Sequence, residues 1–261
     1  MQMGRPIPIT RDLVFLGGGH AHALVLRKWA MNPLAGVQVT LVNPDVKAPY
    51  TGMLPGFVAG HYSRDALDID LVKLARAAGA RLIVDRAIGI DTRNKRVQLS
   101  ARADIAYDSL SIDIGVTSGV VSDLSENLDI VPAKPLGRFA GAWENFLARI
   151  KEQETSPKIA IIGAGVAGVE LALAMVFRLR NEGLKSASVK LIEASAEPLR
   201  ELNRSARKKL LADLDKAGVE IETNRAADSL SSGFDFIVST AGAKPYAWLT
   251  ETGLTLENGY V

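Results

Sequence analysis

The chain of 261 residues contains no cysteine. That excludes a disulfide framework, a thiolate nucleophile, a cysteine-held iron–sulfur cluster and a redox dithiol of its own. It is compatible with a reducing, cytoplasmic setting. Histidine is scarce, with three copies at His20, His22 and His61. No His/Asp/Glu group has the spacing of a metal site, so none is expected. The net charge of +2 offers no electrostatic footprint for nucleic acid. There is no Gly-x-Ser-x-Gly elbow. No signal peptide is expected either, since the apolar run Leu13 to Leu16 is too short for one and glycines follow it. Only Ile159 to Phe177 has the length and apolarity of a membrane span. Glu170 in its middle and three glycines at turn spacing make it a buried strand followed by a helix. The three tryptophans, Trp29, Trp143 and Trp248, are scattered and read as core or interface rather than a stacking platform.

What the chain does have is a 48% share of apolar residues, enough to bury a real core in one large or two moderate domains. It also has two glycine-rich turns, each behind a short apolar strand. The first is Leu13-Val14-Phe15-Leu16-Gly17-Gly18-Gly19-His20-Ala21-His22, and the second is Ile159-Ala160-Ile161-Ile162-Gly163-Ala164-Gly165-Val166-Ala167-Gly168. A strand, a tight turn and a helix N-terminus aim backbone N–H groups and the positive end of the helix dipole at a phosphate. Two such turns in one chain point to two dinucleotides and so to a redox relay.

The pattern around them predicts an α/β protein with two Rossmann-like βαβ units, a loose internal repeat. In the first, a helix runs to about Trp29 and a strand spans Val37 to Val42. A polar, glycine-rich loop is expected over 48–56 and one helix over 65–78, with Leu67, Ile69, Val72, Leu74 and Ala75 around one face. Short strands at Leu82 to Val84, Ala87 to Ile90 and Val97 to Leu99 suggest a small antiparallel meander. A strand ends at Ser111-Ile112-Asp113-Ile114-Gly115. After a helix from Gly137 to about Gln153 and a polar linker at Glu154-Thr155-Ser156-Pro157, the second unit repeats the outline. The expected division is 1–118, a connecting segment 119–157, a second domain 158–246, and a segment 247–261 that starts back toward the first.

The second turn carries all three glycines of Gly-x-Gly-x-x-Gly: one for the tight turn, one for close approach of a pyrophosphate, one for packing helix on strand. Glu193 ends the next strand. A carboxylate there accepts hydrogen bonds from adenosine ribose hydroxyls and repels a 2′-phosphate, and residues 194–199 hold no Arg or Lys to receive one. NAD(H) is therefore favoured over NADP(H). The first turn departs from the pattern, with His22 in the third glycine's place and Asn43 where an acid is expected. His20 and His22 either touch phosphate or cap and pack the turn. The cluster Arg204, Arg207, Lys208 and Lys209 reads as a solvated helix face.

In this order, with Ser239-Thr240-Ala241-Gly242-Ala243-Lys244-Pro245 after the second turn, the residues resemble the two-dinucleotide-binding-domain flavoproteins, the pyridine nucleotide-disulfide oxidoreductase superfamily. The resemblance implies FAD at the first turn and NAD(P)H at the second, where Glu193 favours NAD(H). Lacking cysteine, the chain is similar to type II NADH dehydrogenases rather than to the disulfide-reducing branch or to sulfide:quinone oxidoreductases. Gly17-Gly18-Gly19-His20-Ala21-His22 together with Tyr50-Thr51-Gly52-Met53-Leu54-Pro55-Gly56 resembles the flavoprotein module fused ahead of selenide, water dikinase in some bacteria. The implied FAD residues are Gly17, Gly18, Gly19, His20, His22, Asn43, Pro44, Gly52, Met53, Asp113 and Gly115. The implied NAD residues are Gly163, Gly165, Val166, Ala167, Gly168, Glu170, Glu193, Ala241 and Gly242, with Glu170 near the nicotinamide. No residue stands out as an acid, base or nucleophile.

The resemblance further implies hydride transfer from NADH to flavin and on to a small-molecule acceptor, with a quinone as the analogy. It implies a fused or partner selenide, water dikinase, and a cytoplasmic or membrane-peripheral protein, and it leaves a homodimer open. The superfamily's chain returns to the FAD domain with a Gly-Asp flavin motif. This sequence reaches Val261 before any such motif and reads as a fragment with a weakened FAD site. The alternative is a catalytically idle nucleotide-binding sensor or scaffold in selenium metabolism.

Overall fold

The structure is a computed structural model and describes residues 8–118, 128–153, 156–230 and 233–261. Part of the connecting segment, 119–127, and the linker residues Glu154 and Thr155 lie outside the described residues. In chain order the helices and strands are β1 (Arg11–Leu16), α1 (His20–Met31), β2 (Val37–Asn43), β3 (Lys47–Pro49), α2 (Leu54–Ala59), α3 (Arg64–Leu67), β4 (Asp68–Asp70) and α4 (Leu71–Ala77). There follow β5 (Arg81–Val84), β6 (Ala87–Asp91), β7 (Arg96–Leu99), β8 (Ile105–Ala106), β9 (Ser109–Ile112), β10 (Thr117–Ser118), β11 (Ile130–Pro132) and α5 (Leu136–Gln153). The last are β12 (Lys158–Ile162), α6 (Val166–Asn181), β13 (Ser188–Ile192), α7 (Arg204–Lys216), β14 (Glu220–Glu222), β15 (Phe236–Ser239) and β16 (Ala243–Lys244).

The chain divides into two compact units. The first comprises Met1–Tyr50, Asp68–Gly115 and Pro245–Val261, and the second Thr51–Leu67 and Val116–Lys244. In the first, a parallel sheet has the order β5-β2-β1-β9. In the second, a parallel sheet has the order β11-β15-β12-β13-β14. Each glycine turn leaves a central strand whose successors first go to one side and then return on the other. That reversal opens a crevice at the carboxyl end of β1 and of β12, where open α/β sheets bind ligands. The central strands are apolar because both faces are covered, one by helices and the other by β6 to β8 in the first unit and by irregular chain around Leu230 in the second: Ile159, Ala160 and Ile161 have no exposed surface. The apparent membrane span is thus β12 plus α6, and among the described residues no helix is long and apolar enough to cross a membrane.

Three local expectations are corrected. The segment 48–56 is not all loop: Thr51–Met53 is a 3₁₀ turn and Leu54–Ala59 a short helix. Pro55 at its start and Gly60 at its end, with φ 85°, are the helix's own start and stop signals. Leu54, Phe57 and Val58 are buried in the second unit's core. The helix expected over 65–78 is broken by β4, which pairs antiparallel with β3. Asp70 then caps a new helix by accepting from the Lys73 N–H at 2.9 Å. The supposed single apolar face serves two cores, Leu67 in the second unit and Leu71 and Ala75 in the first. The meander consists of β6, β7 and β8, while β5 joins the parallel sheet beside β2.

The second unit's core includes an aromatic cluster. Trp143 is 1% exposed and lies 5.6 Å from Phe146 and 5.8 Å from Phe236 between ring centroids. Its indole N–H donates to the Val58 carbonyl at 3.3 Å, tying α5 to α2. Replacement of Trp143 by Ala is expected to cost the second unit about 3–5 kcal/mol in urea unfolding, the scale of an aromatic deleted from a packed core. W143F, which loses the hydrogen bond and little volume, should cost about 1 kcal/mol plus a small packing loss.

Candidate functional site: two turns built on one plan

Strand register sets the geometry of both turns. In the first unit Leu16 pairs with Val42 on one side and with Ile112 on the other. In the second, Ile162 pairs with Ile192 and with Ser239. The residues immediately beyond therefore sit at matching edges: Gly17, Asn43 and Asp113 in one unit, Gly163, Glu193 and Thr240 in the other.

The same hydrogen bond closes both turns. The Gly18 N–H donates to Asn43 Oδ1 at 2.9 Å, and the Ala164 N–H donates to Glu193 Oε2 at 2.8 Å. What differs is the rest of the side chain. The Asn43 amide nitrogen donates to the Asp45 carbonyl at 2.6 Å. Glu193 Oε1 instead accepts from the Ser195 N–H at 2.9 Å and the Ser195 hydroxyl at 2.7 Å. Burial opposes the charge on Glu193. The Ser195 hydroxyl and N–H, the Ala164 N–H and the charge of Arg200 more than offset it, so the carboxyl sits below its usual range and stays ionised.

The third position separates the turns. A Cβ on Gly168 would overlap the Gly163 carbonyl oxygen, so that closeness of helix and turn requires glycine. The Thr240 hydroxyl reaches the Ile162 carbonyl at 3.0 Å and lies 3.2 Å from that of Gly163. In the first unit His22 stands in the glycine's place and its ring takes over the carbonyl, with Nδ1 2.7 Å from the Gly17 oxygen. A carbonyl only accepts, so Nδ1 carries a proton. Nε2 lies 2.8 Å from Ser111 Oγ, and the ring stacks on Phe15 at 4.7 Å. His22 is 3% exposed. Its side chain supports the turn from beneath, which is the capping and packing role of the two open to it. His20 is exposed beside Tyr50, and His61 is exposed against Phe177.

Carboxylates lie at both helix N-termini. Asp113 Oδ2 accepts from the Ala21 N–H at 3.0 Å and the His22 N–H at 3.2 Å, against Gly19. Glu201 Oε1 accepts from the Val166 N–H at 2.9 Å and sits where a Cβ on Gly165 would lie 3.1 Å away. Of the remaining expected residues, Pro44 is exposed and Gly115 has φ 70° at the end of the strand-edge segment. Ala167 and Glu170 are exposed on α6, and Ala241 and Gly242 follow Thr240. Gly52 and Met53 belong to the second unit, where Met53 packs on the core. Among the described residues no three His, Asp or Glu side chains converge on a metal position.

A family model described as pyridine nucleotide-disulphide oxidoreductase matches residues 11–259. The chain belongs to this family. Members of the pyridine nucleotide-disulphide oxidoreductases bind FAD and NAD(H). Among solved structures, the chain is similar to a covalent putidaredoxin reductase–putidaredoxin complex, with a TM-score of 0.78 and 16% identity over 95% of this chain and 63% of that one. It is similar to NADH:rubredoxin oxidoreductase from Clostridium acetobutylicum, with a TM-score of 0.73 and 22% identity over 95% and 62%. NDH2 from Plasmodium falciparum in complex with NADH gives a TM-score of 0.72 and 13% identity over 92% and 57%. At such identities the likeness is one of fold, and the chain spans about three-fifths of these proteins. No curated protein gives a significant sequence match.

Sequence reasoning missed Ser195, Arg200, Glu201 and Thr240 as parts of the site. Arg200 stands one residue beyond the window searched for a cation. The others sit in irregular segments with no periodicity to betray them, although an acid a few residues past Glu193 and a hydroxyl beyond β15 were visible. The close packing predicts a sharp contrast. G168A should destabilise the second unit by about 1–3 kcal/mol, as overpacking against backbone does. G165A should change urea stability by less than about 0.5 kcal/mol, because only the flexible end of Glu201 has to move.

Proposed function

We propose that the chain is the nucleotide-binding portion of an FAD-dependent NAD(P)H oxidoreductase, with FAD on the first unit and NAD(H) on the second. The observation that carries this reading is the repeated bond from turn N–H to strand-end acceptor, set at the switch point of two parallel sheets. The donor set fits a dinucleotide in both units. Each turn has a positive-φ first glycine, Gly17 at 92° and Gly163 at 99°, and a helix N-terminus beyond it. At the second turn Gly163, Gly165, Val166, Ala167 and Gly168 would hold the pyrophosphate and Glu193 the adenosine ribose. Glu193 already accepts three hydrogen bonds, and the Ser195 hydroxyl is the donor free to rotate away for a ribose hydroxyl. At the first turn Gly17, Gly18, Gly19, Asn43 and Pro44 would frame the adenosine end of FAD once the Asp113 carboxylate swings aside.

Bound FAD supplies hydride acceptance from NADH and onward electron transfer, while the chain's own residues position and orient. Glu170, on α6, is proposed to lie toward the nicotinamide. The electron acceptor is proposed as a small molecule, a quinone by analogy, and the link to selenide, water dikinase rests on the two short motifs that resemble that fused module.

Anaerobic mixing of FAD-loaded protein with NADH should bleach the flavin absorbance, and NADPH should do so with lower affinity. Bound flavin that NADH leaves unbleached would exclude the oxidoreductase and favour the idle nucleotide-binding module. E193A should weaken NADH binding about tenfold or more, the scale of hydrogen bonds to a charged group, and narrow the NADH preference. Because the Glu193 carboxyl is held below the usual range, its ribose contact is present at neutral pH and persists as pH falls through that range. NADH affinity in wild type should fall only at still lower pH, and an affinity that drops near pH 6 would contradict this role.

A further inference from the structure

The Glu201 carboxylate occupies the position that the proposed NAD(H) reading reserves for phosphate. It accepts the Val166 N–H, the first of the α6 helix, and lies over Gly165, the residue whose missing side chain gives a pyrophosphate its approach. Its placement is built into the backbone. Leu199 is 1% exposed with φ 55°, a left-handed conformation that costs a non-glycine residue energy. Its N–H donates to the Ala164 carbonyl at 2.9 Å, and the Leu202 N–H turns back to the Leu199 carbonyl at 3.0 Å. Asn203 then caps α7 by accepting from the Ala206 N–H at 2.9 Å. The short stretch 200–202 is thereby pinned at both ends beside the turn. Glu201 itself is exposed, so its side chain can leave without opening a core. The first unit shows the same arrangement from a different element, with Asp113 from the strand edge on the Ala21 and His22 N–H groups.

We propose that Glu201 is an intramolecular stand-in for the dinucleotide phosphate, so that NAD(H) binds by displacing it. A carboxylate and a pyrophosphate cannot share these N–H groups, because both are anions. Binding therefore exchanges one charge-assisted hydrogen bond for another, and the site's affinity is set below what its backbone geometry alone would give. The proposal rests on the NAD(H) reading of the second turn.

The test is calorimetric titration of the full chain with NADH and, separately, with adenosine, which reaches Glu193 and carries no phosphate. E201A should bind NADH about tenfold more tightly than wild type, the scale of one charge-assisted hydrogen bond that no longer has to be broken. E201Q keeps an acceptor but loses the charge, and should fall between the two. Adenosine affinity should be the same in all three proteins. A purely structural helix cap predicts the opposite pattern: a lower Tm in E201A with NADH affinity unchanged or weakened. Wild type that binds NADH, with E201A no tighter, overturns the stand-in and leaves the NAD(H) site standing. An equal gain for adenosine and NADH also overturns it. Absence of NADH and adenosine binding in all three proteins overturns the NAD(H) reading, and the stand-in falls with it.

Discussion

In both halves of this chain a backbone N–H in a glycine turn is held by a side-chain oxygen at the end of the neighbouring strand. Gly18 to Asn43 and Ala164 to Glu193 are the same bond made with different residues. Much else in the site follows from it. The bond fixes the turn against β2 or β13, and so fixes the line along which α1 or α6 departs. It also places a polar side chain at the one sheet edge where strand order reverses. A parallel sheet buried on both faces leaves few places for polar groups, and the carboxyl edge at the switch point is one of them.

The two turns then diverge in how they use the first glycine's carbonyl. With Gly168 the helix comes so close that no side chain fits, and the partner hydroxyl arrives from Thr240 across the sheet. With His22 the helix supplies the partner itself, and the imidazole bridges Gly17 to Ser111. A histidine in place of glycine is therefore a second solution to an unpaired carbonyl near a buried turn, one that fills the space between helix and sheet with a stacked ring. Buried polar groups demand partners, and both arrangements supply one.

Much of the fold was legible because buried parallel strands are short apolar runs and because glycine turns interrupt them. The errors have physical causes. Leu67, Leu71 and Ala75 sit at helical spacing, yet the chain changes units between Leu67 and Asp68. A period says that residues share a face; it does not say that one core receives them. The dense Gly and Pro of 48–56 signalled a loop, although Pro55 stands at the start of a short helix whose apolar side is buried. In the site, Gly163, Gly165, Gly168 and Glu193 were legible because strand ends and turns constrain them. Glu201, Ser195 and Thr240 were not, since their roles depend on loop paths that no spacing rule encodes.

Charge is what the motif leaves out. A Gly-x-Gly-x-x-Gly turn specifies where N–H groups point, and the helix dipole adds roughly half a positive charge at its N-terminus. Around the second turn that partial charge meets Glu201 directly, at the Val166 N–H, and Glu193 two residues earlier, at the Ala164 N–H, with Arg200 as the nearby counter-charge. Around the first it meets Asp113, while Asn43 contributes no charge. Each turn thus carries its own electrostatic setting on a common backbone. On the proposed reading a phosphate enters both turns, and how strongly it is held depends on carboxylates that lie outside the glycine pattern.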